Sequence, residues 1–452
     1  MHIVIVGCGN VGKTITDHLS NEGHNIVVID IKPEKVSATC EAYDVMGIVG
    51  NGASYRTLVD AGIEKADLLI AVSNSDELNL LCCVIAKKAG HCQTIARIGN
   101  PVYYREMEFI RKEMGISLIV NPKLATAREV LRLIKYPSAL KTYAFAKERV
   151  EIVKIPVKGE CILNNCALKD LSTKTKSEAL VCIVERGDEV LIPDGEFVLR
   201  EKDIVSVVVP EAQLNDFFKK ISYANTRIKK VLMVGGGKTA EYIGTFLDEM
   251  GVELTLIERN RDRCEELCER LPKSVVVCGD GTDRDILTEE EIEKLDAFIA
   301  WTELDEENIM LALYAKQESK AKVIAQVHRT NYDEIIKSLD IGSVLCPKNI
   351  TAEHIIRYVR AMSNTIGSNV ETLYHLIEGK VEALEFIVRE EVEGLVNIPL
   401  SELRLKDNIL VCCIQRKNKT ITPKGNDVIK KGDAVVVITT TSGLTHIRDI
   451  VK

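Results

Sequence analysis

The chain has 452 residues, enough for about three domains of ordinary size, and its 46% apolar and 28% charged side chains exclude a disordered or low-complexity chain. The 59 basic and 67 acidic residues leave a formal charge of -8, with no Lys/Arg block to form the basic face of a nucleic-acid binder, so no nucleic-acid partner is expected. The longest apolar runs, such as Ile3 to Val6 and Val205 to Val209, are strand-sized and far short of the ~20 residues a bilayer span requires.

The opening residues Met1 to Gly7 lack the charged, long apolar and small-residue regions of an export signal. That predicts a cytoplasmic protein. Ile3 to Val6 reads as a strand, Val11, Ile15 and Leu19 as one face of a helix, and Ile26 to Ile29 as the next strand. Further strands are expected at Val45 to Val49, Leu68 to Val72, Thr94 to Ile98 and Leu118 to Val120. Strands alternating with helices predict βαβ units in a six-strand, doubly wound parallel sheet. Helical spacing then runs from Ala125 to Ala146. From Val150 onward the period falls to two, with turn signals at Gly187-Asp188 and Pro193-Asp194-Gly195, which marks a small, mostly antiparallel domain. Ser222 to Lys229 forms a polar link.

After that link the chain repeats itself. His2 to Gly9 aligns with Lys230 to Gly237 at a spacing of 228 residues, and Asp30 falls on Glu258. One inserted residue later, Gly50-Asn51-Gly52 aligns with Gly279-Asp280-Gly281, and Asp76, Glu77 and Asn79 align with Asp305, Glu306 and Asn308. Pro193, Gly195 and Asp203 match Pro423, Gly425 and Asp433. Four domains are therefore expected: two Rossmann-like domains at 1–139 and 228–366, each followed by a small β-rich α+β domain, at 140–222 and 367–452, with a linker at 223–227.

Fourteen cysteines include no CxxC pair, so zinc-ligand spacing is missing. They read as reduced core residues, and Cys264 and Cys268, four apart on a helix, find no partner pair.

Gly7-Cys8-Gly9-Asn10-Val11-Gly12 spells GxGxxG between a strand and a helix. The first glycine permits the tight turn, the second lets the backbone approach a pyrophosphate, and the third packs helix on strand. Free N–H groups at the helix start face the anion. Asp30, 18 residues beyond Gly12, ends the next strand, where a carboxylate holds ribose hydroxyls and repels a 2′-phosphate, favouring NAD over NADP. The second half has Gly235 and Gly237, with Lys238, Thr239 and Ala240 opening the helix and Glu258 again 18 residues on. Lys238 adds charge near a phosphate, and Arg259 beside Glu258 leaves the second cofactor open between NAD and NADP. Asn51 and Asp280 fit either a plain turn or an adenine-side contact, and Ser73 and Thr302 fit a helix cap and a ligand contact together. Arg97 either reaches a phosphate or is a solvated charge, with Gln326 as its counterpart.

A dehydrogenase needs an acid or base beside the reacting carbon. The positions aligned with His2, His18 and His24 are Lys230, Phe246 and Val252, so none of these histidines recurs. No catalytic residue and no metal ligand is assigned, and a nucleotide sensor is expected rather than an enzyme.

The duplicated unit resembles the RCK (regulator of potassium conductance) domain pair, and the tandem is similar to the TrkA-type subunits of Trk potassium uptake systems. The resemblance is carried by Gly7 through Gly12 with Asp30, the Gly50-Asn51-Gly52 turn, Ser73 through Asn79, Arg186, Pro193 and Gly195, and by second copies including Arg416, Pro423, Gly425 and Lys431-Gly432-Asp433. Glu201-Lys202-Asp203 departs from it, since the family usually has glycine before that aspartate. The resemblance implies a homotetrameric ring, peripheral on the inner face of the plasma membrane, docked on a separate potassium-translocating subunit and binding NAD, NADH, ATP or ADP. An NAD-dependent oxidoreductase with an unrecognised base, or a nucleotide-sensing scaffold of another channel or antiporter, are the alternatives.

Overall fold

A computed structural model describes residues 1–100, 103, 106–145, 150–221, 228–328, 336, 339, 341–365, 370–377, 380–417, 419–441, 444 and 446–452. The 223–227 linker lies outside these residues. The chain forms two compact units, Met1–Leu131 with Lys229–Ile356, and Arg132–Ile228 with Arg357–Lys452. Each unit thus pairs like with like: the two parallel-sheet domains in one, the two β-rich domains in the other.

The first unit contains two parallel sheets of the same order. β1 (His2–Val6), β2 (Asn25–Asp30), β3 (Met46–Val49), β4 (Leu68–Ala71), β5 (Gln93–Arg97) and β6 (Leu118–Val120) are arranged β3-β2-β1-β4-β5-β6. Ile3, Val4, Ile5 and Val6 are all buried, as expected for a strand covered on both faces by crossover helices. The strand order reverses between β1 and β4, where the crevice of a doubly wound sheet opens.

In the β-rich domains the named strands pair antiparallel, with one isolated parallel bridge between Val396 and Ile429. The first has β7 (Lys141–Phe145), β8 (Val150–Pro156), β9 (Leu180–Arg186), β10 (Glu189–Leu191) and β11 (Ile204–Pro210) in the order β10-β9-β11-β8-β7. The helix expected to run from Ala125 to Ala146 ends instead at Lys135, and β7 follows. Pro137 is the reason: its ring disfavours helical backbone at the preceding residue and it has no N–H to continue the ladder. The Leu140 N–H instead donates to Lys154 O at 2.7 Å, entering the sheet.

In the second half, β12 (Lys230–Val234), β13 (Glu253–Glu258), β14 (Val275–Cys278), β15 (Ala297–Ala300), β16 (Lys322–Gln326) and β17 (Ser343–Leu345) repeat the parallel order as β14-β13-β12-β15-β16-β17. β18 (Val370–Ile377), β19 (Val381–Ile387), β20 (Ile409–Arg416), β21 (Lys419–Ile421) and β22 (Ala434–Thr439) form the second antiparallel sheet, β18-β19-β22-β20-β21. The two small domains share one core, in which Cys182, Ile183 and Val208 pack with Val381, Cys412 and Val436. Tyr143 Oη donates to Leu376 O at 3.0 Å across the same contact.

Each small domain is pinned by a matching ion pair. Arg186 donates from Nε and Nη2 to the two carboxylate oxygens of Asp203, both at 2.8 Å, and Arg416 does the same to Asp433 at 2.9 and 2.7 Å. The turn before each aspartate also matches: Asp203 N–H donates to Arg200 O and Asp433 N–H to Lys430 O, both at 3.1 Å. Lys202 holds that turn at φ +72°, where the second half has Gly432 at φ +88°. The departure from glycine therefore leaves the turn intact and strains one residue. Left-handed backbone costs a side chain about 1–2 kcal/mol, offset in part by the freedom glycine has when unfolded. Lys202→Gly is expected to stabilise the fold by about 0.5–1 kcal/mol, read as a higher thermal midpoint.

Candidate nucleotide-binding site

The glycines of the first loop divide by what surrounds them. Gly7 sits at φ +107°, and a Cβ on it would lie 2.9 Å from Ser73 N. A Cβ on Gly12 would fall 1.9 Å from Gly7 O. These two are fixed by the packing of loop, helix and β4. Gly9 has extended backbone (φ -77°, ψ -173°) and no atom within 4 Å of a Cβ built on it, so the space above it is open. The second loop repeats the division: Gly235 is at φ +108° with Trp301 O 2.3 Å from a built Cβ, and Gly237 faces open space. Ala240, in place of Gly12, is fully buried.

Behind the open glycines start the Asn10–Asn21 and Lys238–Met250 helices, neither with a side-chain N-cap. The loop therefore presents backbone N–H groups of Asn10 and Val11, or of Lys238 and Thr239, with the positive end of a helix dipole behind them.

The acids expected to hold ribose also brace the loops. Asp30 accepts from Cys8 N at 2.8 Å with one oxygen and from Lys32 N at 3.0 Å with the other. Glu258 accepts from Gly236 N and Asn260 N, both at 2.8 Å. Burial, then the nearby Asp30 charge, pushes the Cys8 thiol up to about 11, so Cys8 stands in the loop as a neutral side chain. Arg259, beside Glu258, is exposed.

Across the switch point the loop after β4 is tied by an asparagine whose role the sequence did not disclose. Asn79 is fully buried, accepts from Ser73 N at 2.9 Å and donates to Ser73 O and Arg97 O at 3.1 and 2.8 Å. Asn308 makes the same three bonds to Thr302 N, Thr302 O and Gln326 O at 2.8, 2.9 and 3.0 Å. The recurrence of a polar residue on the apolar face of a helix was the available signal. Ser73 does not cap the next helix. Its hydroxyl closes a local turn with Ser75, and Ser75 is the cap, accepting from Leu78 N at 3.2 Å. Thr302 closes the same turn with Leu304.

Arg97 is half-buried, with Nη1 donating to Ser73 O at 2.9 Å. Gln326 Nε2 donates to Thr302 O at 3.0 Å, so the two counterparts support the same loop. Arg97 Nε is buried without a hydrogen-bond partner, and burial holds the guanidinium below its ordinary range against the pull of Asp76. Lys123 stands close enough to Arg97 and Lys238 that burial and then these two charges depress its ammonium. Asn121 Nδ2 donates to Tyr242 Oη at 3.2 Å, which brings the first domain's β6 end to the start of the second domain's cradle helix. Asn51 and Asp280 are exposed and each accepts from the N–H two residues on, at 2.9 Å.

The halves differ in charge around the cradle. Where the first has Lys13 and Lys35, the second has Glu241 and Arg263. Arg263 Nε donates to Gly236 O at 2.8 Å and its guanidinium pairs with Glu241, which Arg270 also meets at 2.8 Å. The second loop is thus held from both sides, by Glu258 at Gly236 N and by Arg263 at Gly236 O.

Among the described residues no helix is long and apolar enough to cross a membrane. The TrkA-N domain family matches residues 3–122 and 231–347, and the TrkA-C domain family matches 152–222 and 384–452. A Trk system potassium uptake protein TrkA homolog of Methanosarcina mazei is 31% identical over 464 residues, covering 100% of both chains. The Trk system potassium uptake protein TrkA of Haemophilus influenzae is 30% identical, covering 97% of this chain and 95% of its own. Among solved structures, the GsuK channel bound to NAD matches with a TM-score of 0.64 at 17% identity, over 97% of this chain and 77% of that one, a likeness of fold. Matched in both halves and along its full length, the chain belongs to the TrkA family of Trk-system potassium uptake proteins.

Proposed function

We propose that the chain is the nucleotide-binding regulatory subunit of a Trk-type potassium uptake system, a cytosolic ring of four copies on the inner face of the membrane that gates a separate potassium-translocating subunit. NAD or NADH, or ATP or ADP, binds the two Rossmann-like domains, 1–139 and 228–366, and the small domains at 140–222 and 367–452 follow the nucleotide state. The observation that carries this reading is the duplicated cradle: Gly9 and Gly237 face open space while Gly7, Gly12 and Gly235 are locked against backbone.

A dinucleotide fits these residues. Its pyrophosphate lies on the loops Gly7 to Gly12 and Gly235 to Ala240, with Asp30 and Glu258 toward the ribose, and Asn51 and Asp280 on the adenine side. Ser73, Thr302 and Arg97 line the opposite wall. The unsatisfied Arg97 Nε and the crowding of Lys123 with Lys238 are positive charge that an anion between the domains would relieve. The cofactor is bound as a signal, and no catalytic group is assigned beside it. It moves the gate only through a difference in affinity between two ring states, typically about 1–3 kcal/mol.

A thermal-shift comparison of NAD, NADH, ATP and ADP tests the reading, since a ligand selective for the native state raises the melting midpoint. At least one is expected to do so, and no shift with any of the four would contradict the proposal. Asp30→Ala is expected to weaken NADH binding in the first half about 10- to 100-fold, the worth of a charge-assisted hydrogen bond, as measured by NADH fluorescence titration.

A further inference from the structure

The second half gathers three thiols beside its cradle. Cys264 and Cys268 lie on the Arg261–Arg270 helix, and Cys278 ends β14, where it is the register partner of Glu258. Cys264 is 6% exposed and its Sγ donates to the Glu258 carbonyl at 3.2 Å. Paired residues on adjacent strands lie about 4.8 Å apart, so this bond sets the Cys264 sulfur over the Glu258–Cys278 pair. The Cys278 thiol is near enough to Cys264 to act on its acidity. Cys268 and Cys278 are exposed.

The fold does not require sulfur at these places. The first half has Val36 and Val49 at the positions of Cys264 and Cys278, and Val36 is buried against its sheet as Cys264 is. Cys268 does have a counterpart, Cys40, whose Sγ lies 2.4 Å from a Cβ built on Gly47. The second half has Val276 in place of Gly47, so that seat is filled and Cys268 faces solvent. Among the described residues no group of three or more His, Cys, Asp or Glu side chains is disposed to hold a metal ion, which leaves the thiols their own chemistry.

We propose that Cys264 and Cys278 form a dithiol that closes reversibly to a disulfide by exchange with a low-molecular-weight disulfide, fastening the helix to the edge strand β14. The exposed Cys278 thiolate attacks one sulfur of the small disulfide RSSR, forming a mixed disulfide and releasing one thiolate, which takes up a proton. Cys264 then loses its proton and attacks Cys278 Sγ, displacing the second thiolate. Two protein thiols are oxidised to one S–S bond and RSSR is reduced to two RSH. The order of attack follows from access and acidity. Burial, ahead of the neighbouring Cys278 thiol, pushes the Cys264 thiol up to about 12, which makes it the slower, resolving partner.

The test is incubation of the full-length protein with oxidised glutathione, alkylation of the remaining thiols, and peptide mapping by mass spectrometry. The expected product is a peptide linking Cys264 to Cys278 that dithiothreitol removes. Cys278→Val is expected to give no such peptide, Cys264→Val to stop at a glutathione adduct on Cys278, and Cys268→Ala to leave the link unchanged. The two valine variants carry the first half's residues at those positions, and circular dichroism checks that they fold. Glutathione adducts accumulating on wild-type Cys278 without the link, a link to Cys268 instead, or no reaction at Cys278 would each overturn the proposal.

Discussion

Gly9→Asp is expected to lower NADH affinity in the first half at least about 100-fold, close to 2.7 kcal/mol, without lowering the melting midpoint of the unliganded protein, since Asp at the uncapped helix start is a favourable cap. The separation of the two readouts follows from geometry. Gly9 has extended backbone that any residue adopts, and a Cβ there meets nothing within 4 Å. The new side chain therefore adds no strain and only occupies the cradle, where its carboxylate repels a diphosphate and competes for the same N–H groups. Gly12→Ala is the contrasting variant. Its methyl would sit 1.9 Å from Gly7 O, so the loop must shift, and overpacking of this kind costs about 1–3 kcal/mol. Binding and stability should then fall together. The second half accommodates Ala240 at the equivalent place, so the defect of Gly12→Ala belongs to the first loop's backbone and not to the motif. Equal NADH affinity in Gly9→Asp and wild type would place the ligand elsewhere.

Arg186→Ala is expected to destabilise the first small domain by about 3–5 kcal/mol, the cost of stranding a buried charge. Asp203 is 2% exposed, and among the described residues its carboxylate would keep only the bond from Arg200 N. The guanidinium also covers Phe197, 4.8 Å from the ring centroid. The pH dependence has a definite sign. Burial pushes the Asp203 carboxyl up, but the Arg186 hydrogen bonds, the Arg200 N–H and their charges outweigh it and hold it below the ordinary range. A depressed folded value contributes stability above the unfolded value of about 3.9 and loses it as pH falls through the folded one. In Arg186→Ala burial acts unopposed by the guanidinium, so the gap between variant and wild type should be widest near neutrality and narrow below about pH 4. Urea unfolding at both pH values measures it. Replacing the pair by Arg186→Met with Asp203→Leu should recover most of the loss.

Much of the fold was legible because the relevant signals are local. Continuous apolar runs such as Ile3 to Val6 mark strands buried on both faces, and the recurrence of Gly7, Gly9 and Asp30 as Gly235, Gly237 and Glu258 marks a duplication. The helix from Ala125 stops short of its apolar spacing, which continues through Pro137, where backbone chemistry overrides pattern. The absence of any ligand spacing marks the cysteines as core, yet Cys268 and Cys278 are exposed. Val276 fills the seat that Cys40 has against Gly47, a difference visible only once the helix and edge strand are placed together.

Around the cradle, the residues that support the loops were the hardest to read. Asn79 and Asn308 bond to backbone atoms up to 18 residues away, and no spacing rule announces such a tie. Arg97 and Gln326 differ in charge but donate to equivalent carbonyls, a shared task that a comparison of residue types conceals. The pairing of like domains into two units was likewise out of reach, since it depends on contacts between residues more than a hundred positions apart, such as Asn121 with Tyr242 and Tyr143 with Leu376.

A crystal structure of the full chain grown with NADH tests the cradle most directly. The diphosphate is expected over Gly9, within hydrogen-bonding distance of the Asn10 and Val11 N–H groups, and a ribose hydroxyl on Asp30, with the same arrangement at Gly237 and Glu258. NADH bound away from both glycine loops, or both loops bare at saturating NADH, would contradict it.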